Sequence, residues 1–257
     1  MKDRQIVFVC FPLFSLLERG LGGETRPPSA SDNKSVPYTL RAFDNHVLTL
    51  DDVMRDGDAR WSLEVVNFYL SNPTNVSTNS KLAVSRCFMV LDRPREAGKL
   101  VTEYLLSNSN DWRAWRILGA ASMTMSNDTA AIYAYSNAVA LGCDYGCVSQ
   151  LGLCAMAAKR TDLVRPYLPR LLELSKTQKS QGNDPLDALA VLLAYCVETE
   201  DESTLMKSLK GVKKSELSSR EDVKEVVARA CETFTSKEAQ DIFRALGFWR
   251  EQDPKGR

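Results

Sequence analysis

The chain lacks most of what catalysis and metal binding usually depend on. It has one histidine, His46, so no mechanism or metal site that needs two imidazoles is available. It has no surplus of either charge, with Lys+Arg and Asp+Glu both 33. A protein that tracks nucleic-acid phosphates needs a basic excess, so nucleic acid is not an expected partner. The apolar run at residues 6–17 falls short of the ~20 residues of a spanning helix. No segment alternates polar and apolar residues over a strand length between turns, so no strand is expected. The phosphate loop, the dinucleotide fingerprint, the nucleophile elbow and the H-E-x-x-H pair are all missing. Gly20-Leu21-Gly22-Gly23 does not join a strand to a helix, so it is no phosphate cradle. The expectation is no catalytic residue, no cofactor and no metal.

What remains is a chain of 257 residues, 44% hydrophobic, long enough to bury roughly 75% of its unfolded surface. It begins with Lys2 and Arg4 ahead of the run IVFVCFPLFSLL, followed by small residues at Gly20, Gly22, Gly23, Ser29 and Ala30. This order fits a secretory leader cleaved near Gly23 or Ala30, or a membrane tether through residues 6–17. Asp3, Pro12 and the Glu18-Arg19 pair count against a leader, and the competing reading is a frayed helix that packs on the domain or stays disordered. The expected location is exported or membrane-associated, otherwise cytoplasmic. The stretch 22–37 is rich in Gly, Pro and Ser, so residues 24–38 read as a linker, residues 39–250 as a helical domain and 251–257 as a tail. Sequons occur at Asn33, Asn75 and Asn127. Among the seven cysteines, Cys87, Cys154, Cys196 and Cys231 sit in apolar helical patterns and are expected as core thiols. Cys143 and Cys147 flank Asp144-Tyr145-Gly146 in a connection, where a local disulfide is an open alternative to free thiols.

From residue 39 onward the pattern is helical. The segments 39–54 and 62–72 come first. Paired segments follow: 76–92 with 95–107, 111–126 with 128–141, 147–159 with 161–177, 185–199 with 201–210, and 220–232 with 236–247. Asp, Asn and Thr at the starts satisfy free helix amides, and Pro94 and Pro185 fit a first turn. Gly142 suits a left-handed helix end. A helix-turn-helix unit recurring every ~34 residues is the mark of a stacked repeat.

The unit at residues 112–145 carries a specific pattern. Trp115, Leu118 and Gly119 form one block, Ala131 and Tyr135 a second, and Ala138 a later small position. The chain thereby resembles a tetratricopeptide repeat protein. Ser122 stands where that pattern has Tyr, and Cys143 where it has Pro. Ala97, with Val84 and Val101, echoes the pattern one repeat length earlier. Leu151-Gly152 echoes it later, with Val164, Leu168 and Leu171 in place of the small and aromatic positions. The specific match covers about 100 of the 257 residues.

The resemblance implies an all-α solenoid of helical hairpins with a concave face that binds a protein or peptide. On that reading Arg86, Arg113 and Arg116, from first helices, are the expected partner-binding residues. Lys207, Lys210 and Lys214 are expected on one helical face, within a basic stretch that includes Lys213, Arg220, Lys224 and Arg229. Glu200-Asp201-Glu202 and Glu221-Asp222 read as helix-start carboxylates. Trp249 reads as part of a terminal cap. The alternatives are a structural subunit of an envelope complex and a helical-toroid enzyme on carbohydrate. The second requires a pocket gathered around His46, Tyr145 or Tyr195.

Overall fold

A computed structural model describes residues 59–71, 78–143, 146–177 and 184–248. The leader, the linker, the segment 39–54, Cys10, Asn33, His46, Asn75, Tyr145, Trp249 and the tail lie outside the described residues. The described residues are helical and contain no strand, and none of their helices is long and apolar enough to cross a membrane. They fall into two compact units, parting between Cys143 and Asp144.

The first unit holds α1 (Ala59–Ser71), α2 (Thr78–Val90), α3 (Pro94–Leu105), α4 (Trp112–Thr124) and α5 (Asp128–Ala140). The helices start where the sequence offers a cap. Asp111 accepts from the Arg113 amide at 3.0 Å, Asn127 from the Ala130 amide at 3.1 Å, and Pro94 occupies a first turn. Packing is sequential, with α1 on α2, α2 on α3, α3 on α4 and α4 on α5, while α2 also touches α4. Val65, Val66, Ala83, Val84, Cys87, Ala97, Val101 and Ala121 form its sealed interior. Each fully buried Val contributes on the order of 1.5–3 kcal/mol relative to exposure.

Two hairpins of this unit are in register. The interval from Thr78, which opens α2, to Trp112, which opens α4, is the same as that from Pro94, which opens α3, to Asp128, which opens α5. That shared interval is the tetratricopeptide repeat length. Small residues allow the close approach. A Cβ on Gly119 would stand 3.0 Å from the ring carbons of Tyr135, so α4 lies against the buried Tyr135 ring of α5. Ala131 and Ala138 are fully buried beside it, and Ala97, Val84 and Val101 are fully buried in the preceding hairpin.

The second unit holds α6 (Cys147–Ala157), α7 (Thr161–Val164), a 3-10 turn (Arg165–Tyr167) and α8 (Leu168–Leu174). It continues with α9 (Pro185–Thr199), α10 (Glu202–Leu209), α11 (Lys214–Leu217), α12 (Glu221–Thr233) and α13 (Lys237–Ala245). The expected single helix over 161–177 is broken. Pro166 lies in the 3-10 turn and Pro169 in the first turn of α8, and neither has an amide to donate. At the centre, α9 packs against α6, α7, α8, α10 and α12, and every residue from Asp187 to Cys196 is buried. A helix apolar on all sides is an interior helix. A Cβ on Gly152 would fall 2.6 Å from Cγ1 of Val191, which brings α6 and α9 together at that point. Gly119 thus meets the second helix of its own hairpin, whereas Gly152 meets the first helix of the next.

One turn recurs in both units. Asp92, Ser126 and Lys159 hold φ of 55°, 56° and 57° just after α2, α4 and α6. In each case the next residue sends its amide back across the turn: Arg93 to Phe88, Asn127 to Ser122 and Arg160 to Ala155. This is the bonding of a Schellman helix end, built here without glycine. Glu200, at φ 54°, closes α9, and the Asp201 amide returns to the Cys196 carbonyl.

Candidate functional site

The three arginines expected at a partner site take two different positions. Arg113 is exposed, and its guanidinium lies along Asp111, with Nε to Oδ1 and Nη2 to Oδ2 both 2.9 Å. The same carboxylate caps α4 and accepts from the Tyr104 hydroxyl at 2.9 Å. Burial pushes the Asp111 carboxyl up, but the bonds from Arg113 and Tyr104 outweigh it and hold it below the usual range. Burial and that carboxylate raise the Tyr104 phenol to about 12. Arg113 thereby serves the start of α4.

Arg86 and Arg116 are brought into each other's field. Arg86 projects from α2 between the buried Ser85 and Cys87, and Arg116 from α4, the helix that α2 touches. Both side chains are partly buried. Burial first, and then the positive charge of Arg116, draw the Arg86 guanidinium down to about 10. The Cys87 thiol, buried alongside, is pushed up to about 12 and behaves as an apolar group.

Trp115 is partly buried and packs against the core of its unit. Its indole N–H donates to the Ser109 carbonyl at 2.7 Å, and its ring meets the exposed Tyr133 edge-on, with centroids 5.6 Å apart.

In the second unit the expected basic face does not form. Helix α10 ends at Leu209, and Gly211, at φ 84°, turns the chain before Lys214 opens α11, so Lys207, Lys210 and Lys214 do not share one helix. Lys224 pairs with Glu221 at 2.8 Å and Arg229 with Glu198 at 3.1 Å. Arg220 is not part of a solvated stripe. It bonds Asp222 and Asp187, the latter at 2.5 Å, and approaches Asp184 at 3.9 Å. Gln150 of α6 donates to the other oxygen of Asp187 at 3.0 Å. The network ties the starts of α6, α9 and α12 together. Burial holds the Asp187 carboxyl above its usual range despite Arg220, with Asp184 and Asp222 adding to the rise. The sequence offers one signal for it: Asp184 and Arg220 each stand immediately before a helix.

Tyr195, a marker for the enzyme alternative, is buried in α9, and its hydroxyl accepts from Arg165 at 3.4 Å. A shallow recess of about 420 Å³ lies elsewhere, lined by Glu200, Glu202, Thr233, Phe234, Thr235 and Ser236. Ser236 caps α13 and hydrogen-bonds Glu202 there. Among the described residues no cluster of three His, Cys, Asp or Glu side chains is placed to hold a metal. Cys143 and Cys147 are disulfide-bonded, while Cys87, Cys154, Cys196 and Cys231 are free thiols. Asn127, the described sequon, uses its side-chain oxygen to cap α5.

No protein-family model, no curated protein and no solved structure matches this chain.

Proposed function

We propose that the chain is a protein- or peptide-binding scaffold built as a tetratricopeptide-like array of helical hairpins. The observation that carries this reading is the shared register of α2–α3 and α4–α5, together with the close Gly119–Tyr135 contact inside the second hairpin. The recurrent turn at Asp92, Ser126 and Lys159 adds support, because it gives three hairpins one bonding pattern. In such an array the first helices of successive units form a continuous face, and α2 and α4 are the first helices here. A partner segment lies across them and meets Arg86 and Arg116. The disulfide-bonded Cys143 and Cys147 favour an oxidising compartment for the mature protein. That agrees with the leader-like start and with export or membrane tethering.

The test is crosslinked affinity capture of the C-terminally tagged full chain from its own cells, read by mass spectrometry. A reproducible partner whose crosslinks map to α2 and α4 is expected. Absence of a reproducible partner, or crosslinks confined to 146–248, would overturn the reading. The same spectra report the mature N-terminus, which the leader reading places beyond residue 20.

A further inference from the structure

The scaffold reading gives the three sequons of the chain no task. Asn33 and Asn75 lie outside the described residues. Asn127-Asp128-Thr129 lies within them, at the turn from α4 into α5.

A folded protein tolerates a glycan on asparagine under definite physical conditions. A hydroxyl residue must stand two positions on, with no proline between. The side chain must reach solvent, because the glycan is bulky and hydrophilic. Its amide nitrogen must be idle in the fold, because that nitrogen takes the sugar. Asn127 satisfies each of these. Asp128 and Thr129 complete the sequon. Met125, Ser126, Asn127 and Thr129 are all exposed, so the surface is open on both sides of the asparagine. The start of α5 uses only the oxygen: Oδ1 accepts from the Ala130 amide at 3.1 Å. Nδ2 bonds none of the described residues. Asn108 and Asn137 do the opposite, donating Nδ2 to the carbonyls of Tyr104 and Tyr133 at 3.1 and 2.8 Å. A glycosylated asparagine is still an amide. Its oxygen can go on capping α5 while its nitrogen carries the sugar.

We propose that Asn127 is an N-glycosylation site, accepting an oligosaccharide from a polyprenyl-diphosphate donor. Nδ2 bonds to the anomeric carbon of the sugar, and the bond from that carbon to the diphosphate oxygen breaks. A base of the transferase takes the amide proton, the polyprenyl diphosphate leaves, and nothing is oxidised or reduced. The site rests on the export reading, as does the oxidising compartment inferred from the Cys143–Cys147 disulfide. A glycan here keeps the α4–α5 turn in water, so a partner lying across α2 and α4 leaves this turn uncovered.

The test purifies the full chain from its own cells and treats it with peptide N-glycosidase in heavy-oxygen water. That enzyme converts a glycosylated asparagine to labelled aspartate, which peptide mass spectrometry locates. Label at position 127 is expected in the wild type. Thr129→Ala is expected to lose it and Thr129→Ser to keep it, since both variants leave the Oδ1 cap in place. A chain that starts beyond residue 20 with no label at Asn127 overturns the site and leaves the export reading intact. Label that persists in Thr129→Ala also overturns the site. A chain that begins at Met1 or Lys2 and carries no label overturns the export reading. The same chain behind a cleavable leader, secreted by a glycosylating cell, then decides the acceptor. Label at Asn127 in that product upholds it, and absence of label overturns it.

Discussion

Three helix glycines show how a single missing Cβ can take opposite values. Around Gly98 of α3 an added methyl would meet Ala121 Cβ at 3.9 Å and Met125 Cε at 4.0 Å, which is ordinary contact. Gly98→Ala therefore gains helix propensity without a clash, and urea denaturation is expected to show stabilisation of about 0.5–1 kcal/mol. At Gly152 the same methyl would fall 2.6 Å from Val191 Cγ1 and 3.0 Å from Cγ2. Valine is stiff at χ1 and fully buried here. Gly152→Ala is expected to cost about 1–3 kcal/mol in the same measurement, and a gain in stability would refute the close α6–α9 contact. Gly119 and Gly152 were both named by the repeat pattern, but that Gly152 meets α9, and that Gly98 has room for a methyl, could not be read without the neighbouring helices. A third residue-scale prediction concerns Asp111. Its carboxyl lies below its unfolded value of about 3.9, so its ionised form stabilises the fold above that pH, and the contribution disappears as pH falls through the folded value. Asp111→Asn keeps a capping oxygen but loses the charge on Arg113 and Tyr104. Wild type is expected to exceed it by about 1 kcal/mol at pH 7, with the gap closing as the pH is taken down from about 4.

Helix positions were largely open to reading, because Asp111, Asn127, Asp184, Asp201 and Ser236 all cap the helices that follow them. The mistakes have local causes. Pro166 and Pro169 fall inside the segment expected as one helix, beyond its first turn, and they split it into α7, a 3-10 turn and α8. Gly211 hides inside a lysine-rich pattern that has the right spacing for a helix. The turns at Ser126 and Lys159 left no trace, since nothing in a Ser or Lys announces a left-handed backbone, and at Asp92 the only sign was an aspartate, which tolerates one. Arg86 and Arg116 could be named as first-helix residues, but their mutual approach depends on how α2 meets α4. The Asp187–Arg220 pair was missed for the same reason, being a contact between two helix starts far apart in the chain. Removing Arg220 alone leaves a buried carboxylate without its counter-ion. Arg220→Met is expected to cost about 3–5 kcal/mol, while Arg220→Met combined with Asp187→Leu is expected to regain most of that loss. A double variant no more stable than the single one would show that the charges do not act as a pair.

At the scale of the whole molecule the cysteines among the described residues divide into two chemical classes. Alkylation of the denatured chain without reductant, mapped by mass spectrometry, is expected to label Cys87, Cys154, Cys196 and Cys231 and to spare Cys143 and Cys147. Labelling of Cys143 or Cys147 before reduction would remove the argument for an oxidising compartment. In the native chain Cys87 and Cys196, both raised to about 12 by burial, are expected to react last. The interior position of α9 reaches beyond the finished fold, into the order in which the chain is made. Its covering helix α12 ends only at Thr233, long after α9 itself ends at Thr199. At about 5–20 residues per second, a ribosome leaves one flank of this interior helix bare for about 2–7 s. For that interval the nascent chain exposes a surface that invites aggregation and the attention of whatever holds sticky segments apart in the cell.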